Sequence, residues 1–249
     1  MKLDKKFKIS VITVTKNSQK YIEENILSVF NQTYKNYEHI IIDGDSKDQT
    51  KDIILKHKEK ISYWISEPDE GLYFAMNKGI EKASGDIIAI LNSDDFYYPE
   101  ALNIVNSYFL SNKKLDFLFG SVFKHKLMHG YNPKKIKWTF GFYTTHSVGF
   151  FIKTDAQKKI GYYDTKYKWS ADYDLFYKMI VKYKFNGMAT KSNEILGKFR
   201  TGGISSKIKY LDFLKENNRI RLDNGQNFII VYLIFILRIL RNFKRFFYE

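Results

Sequence analysis

The chain has no cysteine, which excludes disulfides and thiolate metal sites and leaves the redox compartment open. Proline is scarce, at three residues in 249, and neither an internal repeat nor a low-complexity linker divides the chain. Acidic residues are in deficit: 27 Asp and Glu stand against 41 Lys and Arg, a formal net charge of +14. That balance favours phosphates, nucleic acid or an anionic membrane surface without choosing among them. No apolar run approaches the ~20 residues a membrane-spanning helix needs. Residues 1–8 are basic and lead straight into a strand-like run with no small-residue cleavage site, so the cytosol is the expected compartment.

What is present is enough apolar sequence for one large domain, or one domain and an appendage. The most informative stretch is Ile87-Ile88-Ala89-Ile90-Leu91-Asn92-Ser93-Asp94-Asp95. A short apolar run that ends in polar and acidic side chains reads as a buried strand delivering carboxylates to the edge of an open α/β sheet. Neighbouring carboxylates repel in a partly dry cleft, and a hard divalent cation relieves the repulsion. Mg²⁺ also bridges protein carboxylates to phosphate-bearing substrates. Asp94 is therefore a candidate metal-plus-diphosphate site. The alternative is an Asp-rich turn before a helix that opens at Pro99 and Glu100.

Upstream, strands alternate with helices. Residues 8–15 are β-branched and apolar. Ile22, Ile26, Val29 and Phe30 mark one stripe of a helix. Residues 37–42 form a second strand, followed by a helix to Lys56, a strand at 61–66, a helix at 73–83 and the strand at 86–91. This order specifies an α/β fold with a mostly parallel sheet. In such a sheet Asp43 and Asp94, each after a strand end, meet at one edge. Asp43 can accept from a base N–H, with Thr13 and Thr15 lining the pocket, or it can serve its own turn.

Five segments now stand in order: 10–17, 42–50, Glu67-Pro68-Asp69-Glu70-Gly71, Ala75-Met76-Asn77-Lys78-Gly79 and Leu91-Asn92-Ser93-Asp94-Asp95. The series resembles the family 2 glycosyltransferases over about residues 8–206. The resemblance implies a GT-A, Rossmann-like sheet flanked by helices, a nucleotide-sugar donor and inversion at the anomeric carbon. It implies that Thr13, Thr15 and Asp43 hold the base, usually uracil. Asp69, Asn77, Lys78, Asn92, Ser93 and Asp95 fall with them on the nucleotide-sugar side. Asp94 closes an Asp-x-Asp motif and ligates Mg²⁺ or Mn²⁺. Two departures stand out. Asn92 replaces the first Asp, removing one charge from the metal site. Met76 stands where many relatives carry Arg, a contact that Lys78 or Lys16 would have to replace.

In the C-terminal half, residues 99–110 read as a helix, 116–123 as one strand and 124–137 as a basic loop. His146 precedes an apolar strand; by the resemblance it touches the diphosphate or the metal, and otherwise it is structural. Asp172 lies at the first turn of a helix marked by Leu175 and Met179, where the helix N-terminus favours a carboxylate. The segment resembles the family's Glu-Asp motif, with Ala171 in place of the Glu, and implies that Asp172 is the general base. Asp174 is expected to be a support residue. Phe199-Arg200-Thr201-Gly202-Gly203-Ile204-Ser205-Ser206 implies a loop closing over the donor, with Arg200 on a phosphate; an ordinary loop is the alternative.

Residues 1–206 are thus expected to form the GT-A domain, with a nucleotide-binding half at 1–96 and an acceptor half at 97–206. Residues 207–249 are expected to form a helical tail, amphipathic from Ile208 to Asn224 and then basic and apolar. Such a tail lies in the interface of an anionic membrane, or packs on the domain or a dimer partner. The leading reading is a metal-dependent inverting hexosyltransferase. It would move a hexose or N-acetylhexosamine from a UDP-sugar to a lipid-diphosphate-linked or glycan acceptor. Its pathway would be surface-polysaccharide synthesis (O-antigen, capsule, lipopolysaccharide). It would sit on the inner face of the plasma membrane and have no nucleic-acid partner. The alternatives are a basic nucleic-acid-binding module, which the charge motivates but no recognised motif supports, and a nucleotidyltransferase.

Overall fold

The structure, a computed structural model, describes residues 6–138, 143–203 and 208–243. The chain opens with β1 (Ile9–Thr15), α1 (Ile22–Phe30), β2 (Tyr37–Asp43), α2 (Thr50–Lys56), β3 (Tyr63–Ser66), α3 (Leu72–Lys82) and β4 (Ile87–Ile90). It continues through β5 (Phe96–Tyr97), α4 (Ala101–Ser111), β6 (Phe117–Phe119), β7 (Ser121–Phe123) and β8 (Leu127–Met128). Then come β9 (Phe150–Lys153), α5 (Thr154–Ile160), α6 (Ala171–Tyr177), β10 (Gly187–Ala189), β11 (Ile195–Lys198), α7 (Tyr210–Asp223) and α8 (Phe228–Arg241).

The main sheet has seven strands in the order β10-β6-β9-β4-β1-β2-β3. β1 pairs in parallel with both β2 and β4, while β9 runs antiparallel to β4 and β6. All seven residues of β1 are buried, which fits a sheet covered on both faces. The two-residue period of the strand sorts its side chains. Ile12 and Val14 join the core beneath α3 and α6, whereas Ile9 and Val11 join the core beneath α1 and α4. The parallel α/β sheet is thus the architecture expected from the alternation of strand and helix patterns.

Two expectations change. The run at 116–123 is two strands in two sheets: β6 belongs to the main sheet, and β7 to a four-stranded sheet ordered β5-β11-β7-β8. The break falls at Gly120, where an added Cβ would stand 2.0 Å from Leu196 Cδ1. The basic 124–137 stretch is not wholly irregular, because Leu127 and Met128 pair with β7 and Pro133–Lys135 forms a 3-10 turn. The apolar tail helix continues through Arg238 to Arg241, yet among the described residues no helix is long and apolar enough to cross a membrane. Ile204, Ser205 and Ser206 of the closing loop, the expected boundary at 206/207, and Lys244, Arg245, Phe246 and Phe247 of the tail lie outside the described residues.

Near the N-terminal end of the sheet, Glu38 of β2 ties three segments together. It accepts from Lys8 Nζ at 2.7 Å, from the Ser10 hydroxyl, and from the backbone N–H and hydroxyl of Ser84. Burial pushes its pKa up, but these hydrogen bonds outweigh burial and bring it down from 4.5 to about 2. A carboxylate depressed in this way stabilises the fold fully above its unfolded value and loses that contribution as pH falls through its folded one. Urea titrations should therefore show wild-type stability declining between pH 4.5 and about 2. Glu38→Gln should be less stable at neutral pH and flatter across that window.

Candidate active site

The site is built on the turn after β4. All four β4 residues are buried, so the strand is fixed and the polar residues that follow emerge at its C-terminal end. Four partners hold the turn. The fully buried Asn25 of α1 donates its amide N–H groups to the carbonyls of Asn92 and Asp95, both at 3.0 Å. The Ser147 hydroxyl accepts the Asn92 N–H at 2.8 Å, and the Ser93 and Ser18 hydroxyls lie 2.8 Å apart. Arg200 closes the far side: its N–H donates to Asp95 Oδ1 at 2.8 Å and its Nη1 to the Asp94 carbonyl at 2.7 Å. Its Nη2 donates to Glu24, and the guanidinium lies over the rings of Tyr21 and Phe96. Arg200, expected on a phosphate, is here a fastener of the acidic turn.

Burial raises the Asp94 carboxyl, and burial together with the neighbouring Asp94 charge raises Asp95 to about 7. Two buried atoms beside them, Asn92 Oδ1 and Asp95 Oδ2, have no hydrogen-bond partner. Adjacent carboxylates and unspent oxygens are what a hard cation coordinates, with its other ligands drawn from phosphate and water. The donor set therefore fits Mg²⁺ or Mn²⁺ held by few protein groups. The described residues contain no group of three His, Cys, Asp or Glu poised around one point. His146, expected beside the metal, has its Nε2 2.6 Å from the Tyr163 hydroxyl and its ring stacked against Phe150.

Asp172 sits in the first turn of α6, as expected from the helix stripe. Its Oδ1 accepts from the Tyr173 N–H at 2.9 Å and the Tyr73 hydroxyl at 3.1 Å. Its Oδ2 accepts a long 3.4 Å bond from the Tyr143 hydroxyl. Burial and the Asp172 charge push both phenols well above their ordinary range, so they remain donors. Burial lowers His146 and keeps it neutral, opposed by the Asp172 charge. The segment 143–148 links the two acids. Tyr143 meets Asp172, Ser147 meets Asn92, and the Val148 N–H bonds the Ile90 carbonyl at 3.2 Å.

The remaining expected residues divide. Thr15, at the end of β1, keeps a buried hydroxyl without a partner, available to a ligand. Thr13 is fully buried and spends its hydroxyl on Asn25 and His39. Asp43 accepts from the Ser46 N–H, the Ser46 hydroxyl and the Ser66 hydroxyl, which is the turn-forming alternative. Asp69 packs over Gly44, where a Cβ would be 2.3 Å from its Oδ2. Asn77 clamps the backbone N–H and carbonyl of Tyr163, both at 2.9 Å. Lys78 pairs with Glu67 at 2.6 Å, and Met76 is a core residue of α3. Asp174 is a support residue, bonded to Lys178 and Asn224. Sequence reasoning missed Asn25, Tyr73, Tyr143 and Ser147. Only Asn25 carried a signal, as a polar residue on the buried side of an apolar helix stripe.

Residues 10–171 match the family model described as Glycosyl transferase family 2. The chain belongs to that family. It is 33% identical over 189 residues to an uncharacterized glycosyltransferase of Rickettsia typhi, covering 69% of this chain but only 58% of that relative. It is 37% identical over 97 residues to the putative teichuronic acid biosynthesis glycosyltransferase TuaG of Bacillus subtilis, 38% of each chain. Residues 1–349 of S. aureus TarS in complex with UDP-GlcNAc share the fold with a TM-score of 0.67 at 18% identity, over 92% of this chain and 70% of that one. The family 2 chain thus has the GT-A architecture its sequence led one to expect.

Because Asp94 helps hold Asp95 near 7, Asp94→Asn should lower the Asp95 midpoint in metal-free protein. Carboxyl ¹³C NMR titration reads this directly; an unmoved midpoint would show that the two acids do not share a field.

Proposed function

We propose that the protein is an inverting glycosyltransferase. It takes a hexose or N-acetylhexosamine from a UDP-sugar to an acceptor hydroxyl of a lipid-diphosphate-linked or growing glycan. The observation that carries this reading is the pairing of sites: paired acids with raised pKa at the end of β4, joined through 143–148 to a helix-N-terminal carboxylate. Family membership supports sugar transfer over the nucleic-acid-binding and nucleotidyltransferase alternatives. The UDP-GlcNAc complex of TarS supports a UDP-sugar donor, and the similarity to TuaG supports a cell-surface product.

Asp94, with Asn92 Oδ1 and Asp95 Oδ2 beside it, would hold Mg²⁺ or Mn²⁺. Bound there, such a cation neutralises charge developing on the departing nucleoside diphosphate. Asp172 accepts the acceptor's proton; Oδ2, with its single long bond, is the oxygen free to do so. Tyr73 and Tyr143 keep the carboxylate aimed by donating to it. One displacement from the face opposite the nucleotide inverts the anomeric carbon without a covalent intermediate. Arg200 keeps the acidic turn closed, and Gly203 lies close beside it, where an added Cβ would stand 3.2 Å from Asp94 Oδ2.

The tail supplies the acceptor's surroundings. Val231 and Ile234 of α8 pack inward, while Phe228, Leu233, Ile236, Leu237 and Leu240 are exposed. An apolar helix face with Arg238 and Arg241 and no acid suits the interface of an anionic membrane, on its cytoplasmic side.

Asp172→Asn should lower kcat by about 10²–10⁴-fold while leaving UDP-sugar binding intact. Product mass and anomeric NMR with a panel of nucleotide-sugars and a lipid-diphosphate-sugar acceptor check this; unchanged turnover removes Asp172 as base. Serine at Leu233, Leu237 and Leu240 together should abolish co-sedimentation with anionic vesicles; unchanged sedimentation refutes the membrane face.

A further inference from the structure

The seam between α7 and α8 buries a cation that has no counter-charge among the described residues. Arg221 of α7 is fully inaccessible. Its Nε donates to the Tyr173 hydroxyl at 2.9 Å and its guanidinium lies 5.7 Å from that ring's centroid. Both Nη atoms are buried without a partner. A buried guanidinium left this way is strongly unfavourable unless an anion joins it. The carboxylates of neighbouring segments are engaged. Asp174 holds Lys178 and Asn224, and Asp223 holds Tyr167 and Lys166. Glu216 caps the N–H groups of Lys168, Trp169 and Ser170.

A second cation faces the first. Arg238 of α8 lies four and seven residues beyond the inward-facing Ile234 and Val231, on the same helix stripe. It is partly exposed at the rim of the seam. Burial lowers it first, and the charge of Arg221 lowers it further. Two guanidiniums within each other's field, one at the bottom of the seam and one at its rim, would suit one oxyanion between them. Planar forks of N–H donors match phosphate oxygens.

We propose that Arg221 and Arg238 form a binding site for a phosphate or diphosphate group in the seam between α7 and α8. An anion held there would contact Arg221, whose Nε already bonds Tyr173, the residue that directly follows Asp172. With the exposed apolar face of α8 laid in a membrane interface as proposed above, the seam would lie near lipid headgroups, so the phosphate would belong either to a headgroup or to the diphosphate of a lipid-linked acceptor. That last assignment rests on the transferase reading; the binding itself does not.

The test uses the full chain with EDTA and no donor sugar. Melting is followed with inorganic pyrophosphate against chloride of equal ionic strength, and flotation with phosphatidylcholine vesicles with or without phosphatidic acid. Pyrophosphate should raise the wild-type melting temperature. Arg221→Met, relieved of an uncompensated charge, should melt above wild type without the anion and no longer respond to it. Arg238→Gln, at the partly exposed rim, should fold normally and bind roughly tenfold more weakly. Asp94→Asn should respond like wild type, which separates this site from the nucleotide site. A preference for phosphatidic acid that needs both arginines assigns a lipid headgroup; a pyrophosphate response without it assigns a diphosphate. No wild-type response to either probe overturns the proposal, as does an undiminished response in both arginine variants or its loss in Asp94→Asn. Should Asp172→Asn retain full turnover while pyrophosphate binding persists, the transferase mechanism fails and the anion site stands.

Discussion

Two consecutive carboxylates confined at the end of a fully buried strand are the constraint on which this structure turns. Burial raises both acids, and the Asp94 charge makes Asp95 harder still to ionise. A fold that only needed stability would replace one of them. Here the surroundings hold them in place. Asn25 fixes the turn from α1, Ser147 from the segment before β9, and Arg200 from the chain after β11. The unfavourable electrostatics is thus preserved where a cation and a diphosphate would relieve it.

The acceptor side is organised by different means. Asp172 is held by hydroxyls rather than by cations, since Tyr73 and Tyr143 donate to it and His146 stays neutral nearby. Behind it, α7 secures α6 at several points: Glu216 on the amides before Asp172, Arg221 on Tyr173, and Asn224 on Asp174. The helix with the exposed apolar face is joined through α7 to the helix that carries Asp172, the proposed base. An acceptor presented from a membrane would meet Asp172 in a fixed orientation.

Much of the fold was legible because strand and helix periods alternate cleanly through residue 91, and β4 ends in polar residues that no buried strand would continue into. The split at Gly120 was not legible. A continuous apolar run reads alike whether it serves one sheet or two, and the residue packed against Gly120 at the break is Leu196, far along the chain. In the site, Asp94, Asp95, Thr15 and Asp172 stand where strand ends and a helix start put them. Asn77, Lys78 and Arg200 carry suitable chemistry but are claimed by Tyr163, Glu67 and Glu24, partners that local sequence cannot reveal. Tyr73 and Tyr143 were invisible for the same reason: tyrosines are common in this chain, and only the tertiary fold selects those that reach Asp172.

The central claim is that the β4 carboxylates and Asp172 serve one crevice from opposite sides. Anomalous scattering from crystals grown with Mn²⁺ and UDP tests it most directly. The expected result is one manganese peak on Asp94, bridged to the diphosphate, with the open side of the nucleotide facing Asp172. A peak away from Asp94, or a nucleotide bound where Asp172 cannot face its outer phosphate, would contradict the account.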